Sequence, residues 1–215
     1  MYLKIFYYTI FIYIILFVSI EENKAYSYEL MAEGGYSKVK LGGTSLTGEN
    51  ASLRCYFYPG SSDTFMLLLG AGARAEMTHA SSSDTTNGNS SSIISKYKVI
   101  QLGGDIGFKI VPTNWLNLYA VVSINISPFA AYENDIAVNG SSGQANPTVN
   151  SDYNIGASFK ASINLTNNFA IGASFFLARG VADYGNSSYN GVMLSGSSGG
   201  YSILNFNAII SYLFY

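Results

Sequence analysis

The single histidine and the single cysteine limit the chemistry that this 215-residue sequence could perform. His79 precedes Ser81 by two positions, so the two side chains would share one face of a β-strand. A histidine, a serine and an acid together can carry out nucleophilic hydrolysis. A match of two residues at the start of a serine-rich tract is weak, and we favour a histidine at a rim beside a polar loop. His79 and Cys55 alone cannot form a zinc site, so no metal or other cofactor is expected.

A second group of residues could form ion pairs instead of a catalytic site. If inward and outward positions alternate along every predicted strand, four acids and four bases face the interior: Glu29, Glu33, Arg54, Arg74, Glu76, Asp105, Lys109 and Lys160. Buried charges are costly unless they are paired and hydrogen-bonded, so a balanced set predicts a salt-bridged interior. The favoured pairs lie on the first three neighbouring strands and join Glu33 and Glu76 with Arg54 and Arg74. Alternatively, some of these groups lie at the rims in water and are unpaired.

The elements that position these side chains are alternating strands, most clearly at the end of the chain. There an apolar face (Leu204, Phe206, Ala208, Ile210, Tyr212, Phe214) alternates with a largely polar one (Asn205, Asn207, Ile209, Ser211, Leu213). In earlier strands the polar faces hold Gly, Ser and Asn and almost no Lys or Glu. A face in contact with water would be charged for solubility, and a soluble up-and-down barrel would place its apolar face inward. The pattern instead favours a membrane β-barrel with apolar residues facing lipid.

Composition supports the same class of protein. Charged residues make up only 11% of the chain and hydrophobic residues 48%, whereas soluble domains have about a quarter charged residues. The formal charge of −2 does not favour a nucleic-acid partner. A single cysteine excludes an internal disulfide and is typical of a structural thiol within a strand.

Eight strands are expected, in the ranges 28–40, 51–58, 64–78, 94–111, 116–130, 153–165, 169–182 and 201–215. The connections after the second, fourth and sixth strands are tight turns. Those after the third, fifth and seventh strands are long polar loops, 81–92, 134–150 and 185–200, which are expected to be mobile. This alternation predicts an all-β, eight-stranded antiparallel up-and-down transmembrane barrel with both termini on the periplasmic side.

The first segment is predicted to be a signal peptide. Lys4 precedes the apolar run 5–20, and Ala25, Tyr26 and Ser27 provide a cleavage site after Ser27. The expected domains are therefore a signal peptide, 1–27, and an outer-membrane barrel, 28–215. An uncleaved membrane anchor is the alternative.

The chain resembles the small eight-stranded outer-membrane barrels of Gram-negative bacteria, the OmpA/OmpX-type and opacity-protein-like families. The resemblance is carried by the architecture and by the terminal aromatic pattern at Tyr212 and Phe214, with Tyr215 one residue beyond it. It implies a multi-pass protein of the cell outer membrane, and the expected partners are outer-membrane lipid, lipopolysaccharide, the barrel-assembly machinery and periplasmic chaperones. Aromatic residues near strand ends are predicted to form interface girdles: Tyr28, Tyr36, Tyr97, Trp115, Tyr132, Tyr153, Tyr184 and Tyr212.

The favoured function is a structural, surface-exposed barrel with a plugged lumen, without enzymatic activity. Its loops 81–92, 134–150 and 185–200 could contact a host or surface ligand, in an adhesion or surface-antigen role. The alternative is a narrow, porin-like channel for small or apolar solutes. A lipid A-modifying hydrolase is the third hypothesis, because the pair His79 and Ser81 resembles part of the triad of PagL-like deacylase barrels.

Overall fold

The computed structural model describes residues 27–41, 43–59, 64–86, 89–189, 192–194 and 198–214. Eleven strands occur in these ranges: β1 (Ser27–Leu41), β2 (Thr44–Tyr58), β3 (Phe65–Thr86), β4 (Asn89–Thr113), β5 (Leu116–Val138), β6 (Ser141–Ala145), β7 (Val149–Asn164), β8 (Phe169–Tyr184), β9 (Ser187–Tyr189), β10 (Val192–Leu194) and β11 (Ser198–Phe214). The described residues contain no helix that is long and apolar enough to cross a membrane.

Eight of these strands form a closed antiparallel ring. Its order is β1, β2, β3, β4, β5, β7, β8 and β11, and β11 pairs back onto β1. The pairing of β4 with β5 closes the other seam. Ring closure leaves no long strand with an unpaired edge, which is the barrel solution to the edge-strand problem. The predicted all-β fold with an eight-stranded antiparallel barrel is confirmed.

Alternating burial along each strand divides the barrel into an inner and an outer face. On β11, Asn205 and Asn207 are buried, whereas Phe206, Ile210 and Tyr212 are exposed. The same arrangement recurs on β7, where Asn154 is buried and Phe159 is exposed. The apolar outer face and polar inner face are the reverse of a soluble barrel.

The two rims of the barrel differ in their connections. One rim carries the ends of β2, β4 and β7 and both ends of the described chain, Ser27 and Phe214; we call it the short-turn rim. The opposite rim carries the extensions of β3, β4 and β5 and the short strands β6, β9 and β10; we call it the long-hairpin rim. The predicted alternation of short and long connections corresponds to this division except after β1, where only two residues separate Leu41 from Thr44 on the long-hairpin rim.

Two of the long connections, 81–92 and 134–150, contain paired strands where composition predicted loops. The third, 185–200, lies partly outside the described residues. In the range 81–92, β3 continues to pair with β4, with Ser81 opposite Ile94 and Ser83 opposite Ser92. A polar tract forms a strand here because the ladder of the barrel extends through it and satisfies its backbone groups. Similarly, β2 begins at Thr44, seven residues before the predicted start at position 51.

An Asn-Gly turn organises the second long connection, 134–150. Asn139 and Gly140 both have positive φ values, 50° and 81°, and join β5 to the short strand β6. These conformations define the tight type I′ hairpin, for which Asn-Gly is a strong signal. The expected loop is therefore largely a third strand attached to the β4–β5 hairpin.

A bulge in β5 exchanges the inward-facing and outward-facing positions of the part of the strand nearer the long-hairpin rim. Opposite Ile100 lies Phe129, but opposite Leu102 lies Ile126, so β5 contains one extra residue between them. Ser127 and Pro128 together lie opposite Gln101, and a bulge tolerates a proline, which has no N–H to donate to the ladder. Beyond the bulge, Phe129 remains exposed and Ala130 packs against the interior.

Several terminal predictions lie at or outside the limits of the described residues. Positions 1–26 of the predicted signal peptide are outside them, and Ser27 is the first residue of β1. In the predicted terminal signature, Tyr212 and Phe214 are exposed on the outer face, and Tyr215 is outside the described residues.

The predicted aromatic girdles are only partly correct. Tyr36, Trp115, Tyr153 and Tyr212 are exposed, as residues at a membrane interface would be. Tyr97, however, is fully buried in the lumen. Tyr132 and Tyr184 pack against an interior apolar cluster instead of facing outward. Position along a strand did not distinguish the two faces, whereas the alternation of neighbouring residues would have done so.

Candidate functional site: the lumen of the barrel

The structure places all eight residues of the predicted charge set in the lumen, where each is buried: Glu29, Glu33, Arg54, Arg74, Glu76, Asp105, Lys109 and Lys160. They share the inward parity of their strands, because every second side chain of a strand points to the same face. Asp152 is buried with them. The described lumen therefore holds five acids and four bases, and the expected balance of four against four omitted one acid.

Glu29 on β1 is the centre of the cluster nearest the short-turn rim. Its carboxylate accepts hydrogen bonds from Lys109 Nζ on β4 at 3.0 Å and from the Tyr58 hydroxyl on β2 at 2.5 Å. The hydroxyl of Tyr119 on β5 donates to the same carboxylate at 2.9 Å. Because β1 and β5 lie on opposite sides of the ring, this cluster crosses the full width of the lumen.

Glu33, further along β1, forms the next cluster. Lys160 Nζ on β7 forms an ion pair with its carboxylate. Ser174 Oγ donates to Glu33 at 2.8 Å and Asn207 Nδ2 donates at 3.2 Å. Lys160 also donates to the hydroxyl oxygen of Tyr56 at 2.6 Å. Both charges are thus paired and hydrogen-bonded, which is the condition under which buried charges are tolerated.

Arg54 on β2 forms the third cluster with Asp105 on β4. Arg54 Nη1 lies 3.1 Å from Asp105 Oδ1, and Arg54 Nη2 donates to Asn125 Oδ1 at 3.0 Å. Asn125 in turn donates to Asn154 Oδ1 at 2.8 Å. The guanidinium and two amides therefore connect β2, β4, β5 and β7 at one level of the barrel.

Two of the four residues expected to pair with each other, Glu33 and Arg54, have other partners. Glu33 pairs with Lys160 and Arg54 with Asp105, and the described residues show no ion pair for Arg74. The Arg74 guanidinium instead lies 3.6 Å from the centroid of the Phe176 ring, a cation–π contact. The prediction assumed that residues on neighbouring strands pair with each other. The lumen is narrow enough, however, for long side chains to pair across it.

Several buried polar atoms around Arg74 have no hydrogen-bond partner among the described residues. They occur on five neighbouring strands, β11, β1, β2, β3 and β4: Ser37 Oγ, Asn50 Oδ1, Ser52 Oγ, Arg74 Nε and Nη1, Glu76 Oε2, Thr78 Oγ1, Gln101 Oε1 and Nε2, Asn205 Oδ1 and Asn207 Oδ1. An unpaired buried polar group costs about 1–3 kcal/mol. The part of the lumen around Arg74 therefore has fewer side-chain hydrogen bonds among the described residues than the three charged clusters nearer the short-turn rim.

Asp152 is a luminal acid that the sequence reasoning missed. The hydroxyls of Tyr97 on β4 and Tyr201 on β11 both donate to its carboxylate. The signal was available, because Asp152 lies two positions before Asn154 and therefore shares its inward face. It was missed because the strand was expected to begin at Tyr153 and the preceding residues were read as a loop.

An apolar cluster fills the lumen beneath the long-hairpin rim. Its buried members are Val39, Leu41, Leu46, Tyr97, Val99, Phe176, Ala178, Ala182, Tyr201 and Ile203. Such a cluster excludes water and packs side chains from opposite walls. The ion-paired clusters lie closer to the short-turn rim than this apolar cluster.

Two further ion pairs lie on the outer face of the β4–β5 hairpin, beyond the apolar band. Lys96 Nζ lies 2.6 Å from Asp135 Oδ2, and Lys98 Nζ lies 3.0 Å from Glu133 Oε1. The hydrogen bond from Lys96 lowers the pKa of Asp135 below its ordinary value. The same bond raises the pKa of Lys96. These exposed pairs reinforce the register of the hairpin.

The residues proposed for hydrolysis do not form a triad in the described structure. His79 and Ser81 are exposed on the outer face of β3, and no hydrogen bond joins them. Two outward acids lie near His79 in register. Glu49 lies on the adjacent strand β2, opposite Met77. Glu133 lies two strands away, opposite Lys96, and its carboxylate is occupied by Lys98. The described residues contain no group of three or more His, Cys, Asp or Glu side chains suited to a metal ion. Cys55 is exposed and free on the outer face of β2.

Comparison with solved structures identifies the same fold at low sequence identity. A major outer membrane protein of Thermus thermophilus is 11% identical, with a TM-score of 0.52 over 89% of this chain and 100% of that chain. Neisserial surface protein A is 9% identical, with a TM-score of 0.50 over 88% of this chain and 99% of that chain. Ail, the attachment invasion locus protein of Yersinia pestis, is 12% identical, with a TM-score of 0.47 over 89% of this chain and 100% of that chain.

The chain therefore has the fold of the small outer-membrane β-barrel proteins, as its resemblance implied. No family model and no curated protein sequence matches it. At these identities the likeness concerns the fold, and the function must be argued from the residues of this chain.

Proposed function

We propose that this chain is an outer-membrane barrel with a closed lumen that anchors long β-hairpins at the cell surface. The observation that carries the proposal is the cluster of Glu29, Lys109, Tyr58 and Tyr119, which crosses the lumen from β1 to β5. In this orientation the short-turn rim and both termini face the periplasm and the long-hairpin rim faces outward.

The number of side chains that cross the lumen supports a closed lumen. Two further clusters, around Glu33 and Arg54, lie above the first one. An eight-stranded barrel is just wide enough inside for side chains to fill it. A solute would have to separate at least three paired charges and the apolar cluster around Tyr97 and Ile203, so a barrier function is favoured over transport.

Conductance of the refolded chain 28–215 in a planar bilayer tests the closed lumen. A mobility shift on heating first establishes that the barrel is folded, and a general porin in the same bilayer provides the positive control. We expect no steady current. Regular, ion-selective openings would overturn the closed lumen and favour the alternative of a narrow channel lined by the luminal charges.

The hairpins support a second part of the proposal, a role in adhesion or as a surface antigen. From Met77 to Thr86, β3 continues beyond the apolar band, which corresponds to a reach of up to about 30 Å. The exposed pairs Lys96–Asp135 and Lys98–Glu133 hold the adjoining hairpin in register. A stiff projection of this kind presents a polar surface to a host or surface ligand, through the ranges 81–92, 134–150 and 185–200.

A shortened hairpin tests this role. Residues 83–86 pair with residues 89–92 across β3 and β4, so replacing the range 83–92 by Asn-Gly shortens the hairpin without changing the inward or outward facing of the remainder. Cells displaying the parental protein should bind the target surface, and cells with the shortened variant should lose most of that binding at equal surface expression. Equal binding by both would exclude this hairpin as the adhesive element.

The remaining parts of the proposal concern biogenesis. A signal peptide, 1–27, would direct export, and the barrel-assembly machinery and periplasmic chaperones would read the terminal aromatics Tyr212 and Phe214. N-terminal sequencing of the protein from outer membranes tests the cleavage site. A mature chain that begins at Tyr28 is expected, and an intact N-terminus would favour the uncleaved anchor.

A further inference from the structure

Three basic side chains lie together on the outer face of the barrel, on two strands that flank a third. Lys38 and Lys40 are exposed on β1, and Arg179 is exposed on β8. The strand between them is β11, and its Ser202 pairs with Lys40 on one side and with Arg179 on the other. Strands lie about 4.8 Å apart, so Lys40 and Arg179 begin about 10 Å apart and their long side chains reach a common point.

In the described part of the chain, these three cations lack the acidic partners that Lys96 and Lys98 have on the outer face. Lys96 and Lys98, on the far side of the ring, are paired with Asp135 and Glu133. Within the described residues, Lys38, Lys40 and Arg179 have no carboxylate within ion-pairing distance. The nearest acid in register, Glu49, lies opposite Tyr36, one outward position below Lys38. The patch therefore has an uncompensated positive charge.

The patch lies at the height of one membrane interface. From Phe169 at the short-turn rim, Arg179 is the sixth outward position along β8, and Phe175 and Leu177 precede it. Ten residues of a tilted strand rise about 25 Å, which matches the height of the apolar band of membrane barrels. The positive charges thus occupy the level at which the apolar band ends toward the long hairpins.

An apolar surface lies directly below the charges. Leu177, Phe206 and Tyr36 are exposed on β8, β11 and β1, respectively. The rings of Phe175 and Phe206 lie 5.1 Å apart in this surface. A molecule bound here would meet positive charge at its polar end and apolar side chains along its remaining length, which describes an anionic lipid.

We propose that Lys38, Lys40 and Arg179 form a binding site for the phosphorylated headgroup of an outer-leaflet glycolipid, of the lipopolysaccharide class, with the acyl chains against Leu177 and Phe206. The inference rests on the proposed outer-membrane location. A guanidinium binds phosphate through two parallel hydrogen bonds, and the two ammonium groups supply further charge. Three separate cations suit a headgroup that carries more than one phosphate.

Binding of purified lipopolysaccharide to the refolded protein tests the site. The variant carries Lys38→Gln, Lys40→Gln and Arg179→Gln, and the matched control carries Lys96→Gln and Lys98→Gln. The triple variant should bind on the order of 100-fold more weakly, since each interfacial cation contributes about a factor of five to ten. The control should bind within about threefold of the parental protein, because its lysines are already paired.

Two probes separate this site from general attraction of charge. Enzymatically dephosphorylated lipopolysaccharide should bind the parental protein as weakly as lipopolysaccharide binds the triple variant. Inorganic phosphate at the same phosphate concentration should not compete. Equal losses in the triple and control variants, or equal binding of the dephosphorylated lipid, would overturn the proposal. Folding and closure are measured separately by heat modification and conductance, so failure of this site leaves the proposed barrel function testable.

Discussion

Lys109 and Glu29 are 80 positions apart in the sequence, and their side chains form a buried ion pair at 3.0 Å inside the barrel. The pair connects β4 to β1 through the lumen and not through the wall. The clusters of Glu33 and Arg54 make equivalent connections. The barrel is thus stabilised in two ways, by the continuous backbone ladder of its wall and by ionic contacts across its interior.

We predict that Lys109→Met destabilises the barrel strongly. It leaves the Glu29 carboxylate buried without its cation, which typically costs about 3–5 kcal/mol. The free energy of unfolding in urea, measured in lipid vesicles, is the readout. Adding Glu29→Gln to the same chain should restore most of the loss, because the remaining amide is neutral; no recovery in the double variant would contradict the account of a stranded charge.

The two luminal arginines should differ in their importance. Arg54→Met removes the partner of Asp105 and one donor to Asn125, so we expect a loss of about 3 kcal/mol or more. Arg74→Met removes a guanidinium that has no ion pair in the described structure, keeps an apolar contact with Phe176 and removes only a longer-range attraction to the buried Glu76, so we expect a smaller loss, of about 1–3 kcal/mol. Urea unfolding of both variants under the same conditions tests the order. The reverse order would show that Arg74 has an essential acidic partner.

Tyr97 and Tyr201 should act together on Asp152. Each hydroxyl donates to the carboxylate, and hydrogen bonds to charged groups contribute about 1.5–3 kcal/mol each. We expect each Tyr→Phe variant to lose stability in this range. The double variant should lose more than the sum, since Asp152 then lacks both hydroxyl donors. Additive losses in the double-mutant cycle would argue against a shared acceptor.

The Lys96–Asp135 pair predicts a pH dependence confined to the outer hairpin. Its hydrogen bond lowers the pKa of Asp135, so the contribution to hairpin stability is present above the ordinary value of 3.8 and is lost as the pH falls through the lowered pKa. The pKa of Lys96 is raised, so on the alkaline side the contribution is present below 10.5 and is lost as the pH rises through the raised value.

Amide hydrogen exchange around residues 94–98 and 133–137 measures this dependence, after correction for the intrinsic exchange rate. Protection should be greatest between those limits and should fall in strong acid and strong base. Asp135→Asn is the matched control, and its protection should change little across the acid range. The same acid-induced loss in both proteins would assign the effect to another group.

The fold could be predicted from the sequence because a barrel repeats one signal in every strand. Eight alternating segments specify the same inner and outer faces, so an error of one or two residues at a strand end does not alter the architecture. The inward direction of the charged residues depends on the same alternation. For this reason Lys160 and Asp105 could be placed in the lumen before any contact was known.

The ionic partners could not be predicted in the same way. Neighbouring strands suggested Arg54 or Arg74 as the partner of Glu33, whereas Lys160 reaches Glu33 from β7 across the lumen. Such pairs depend on side-chain length and on the relative height of distant strands, which local patterns do not specify. The paired hairpin at 81–92 was missed for a different reason, because its Ser and Thr residues resemble a loop until a partner strand is known.

The bulge at Pro128 determines which charges enter the barrel. Without the extra residue, Glu133 and Asp135 would point inward and would add two acids to a lumen that already holds one acid more than its bases. With it, both carboxylates meet lysines outside. A one-residue insertion or deletion elsewhere in a strand would exchange its faces in the same way. The long hairpins of this barrel should therefore vary in length during evolution by even numbers of residues, or by odd numbers only where a new bulge accompanies the change.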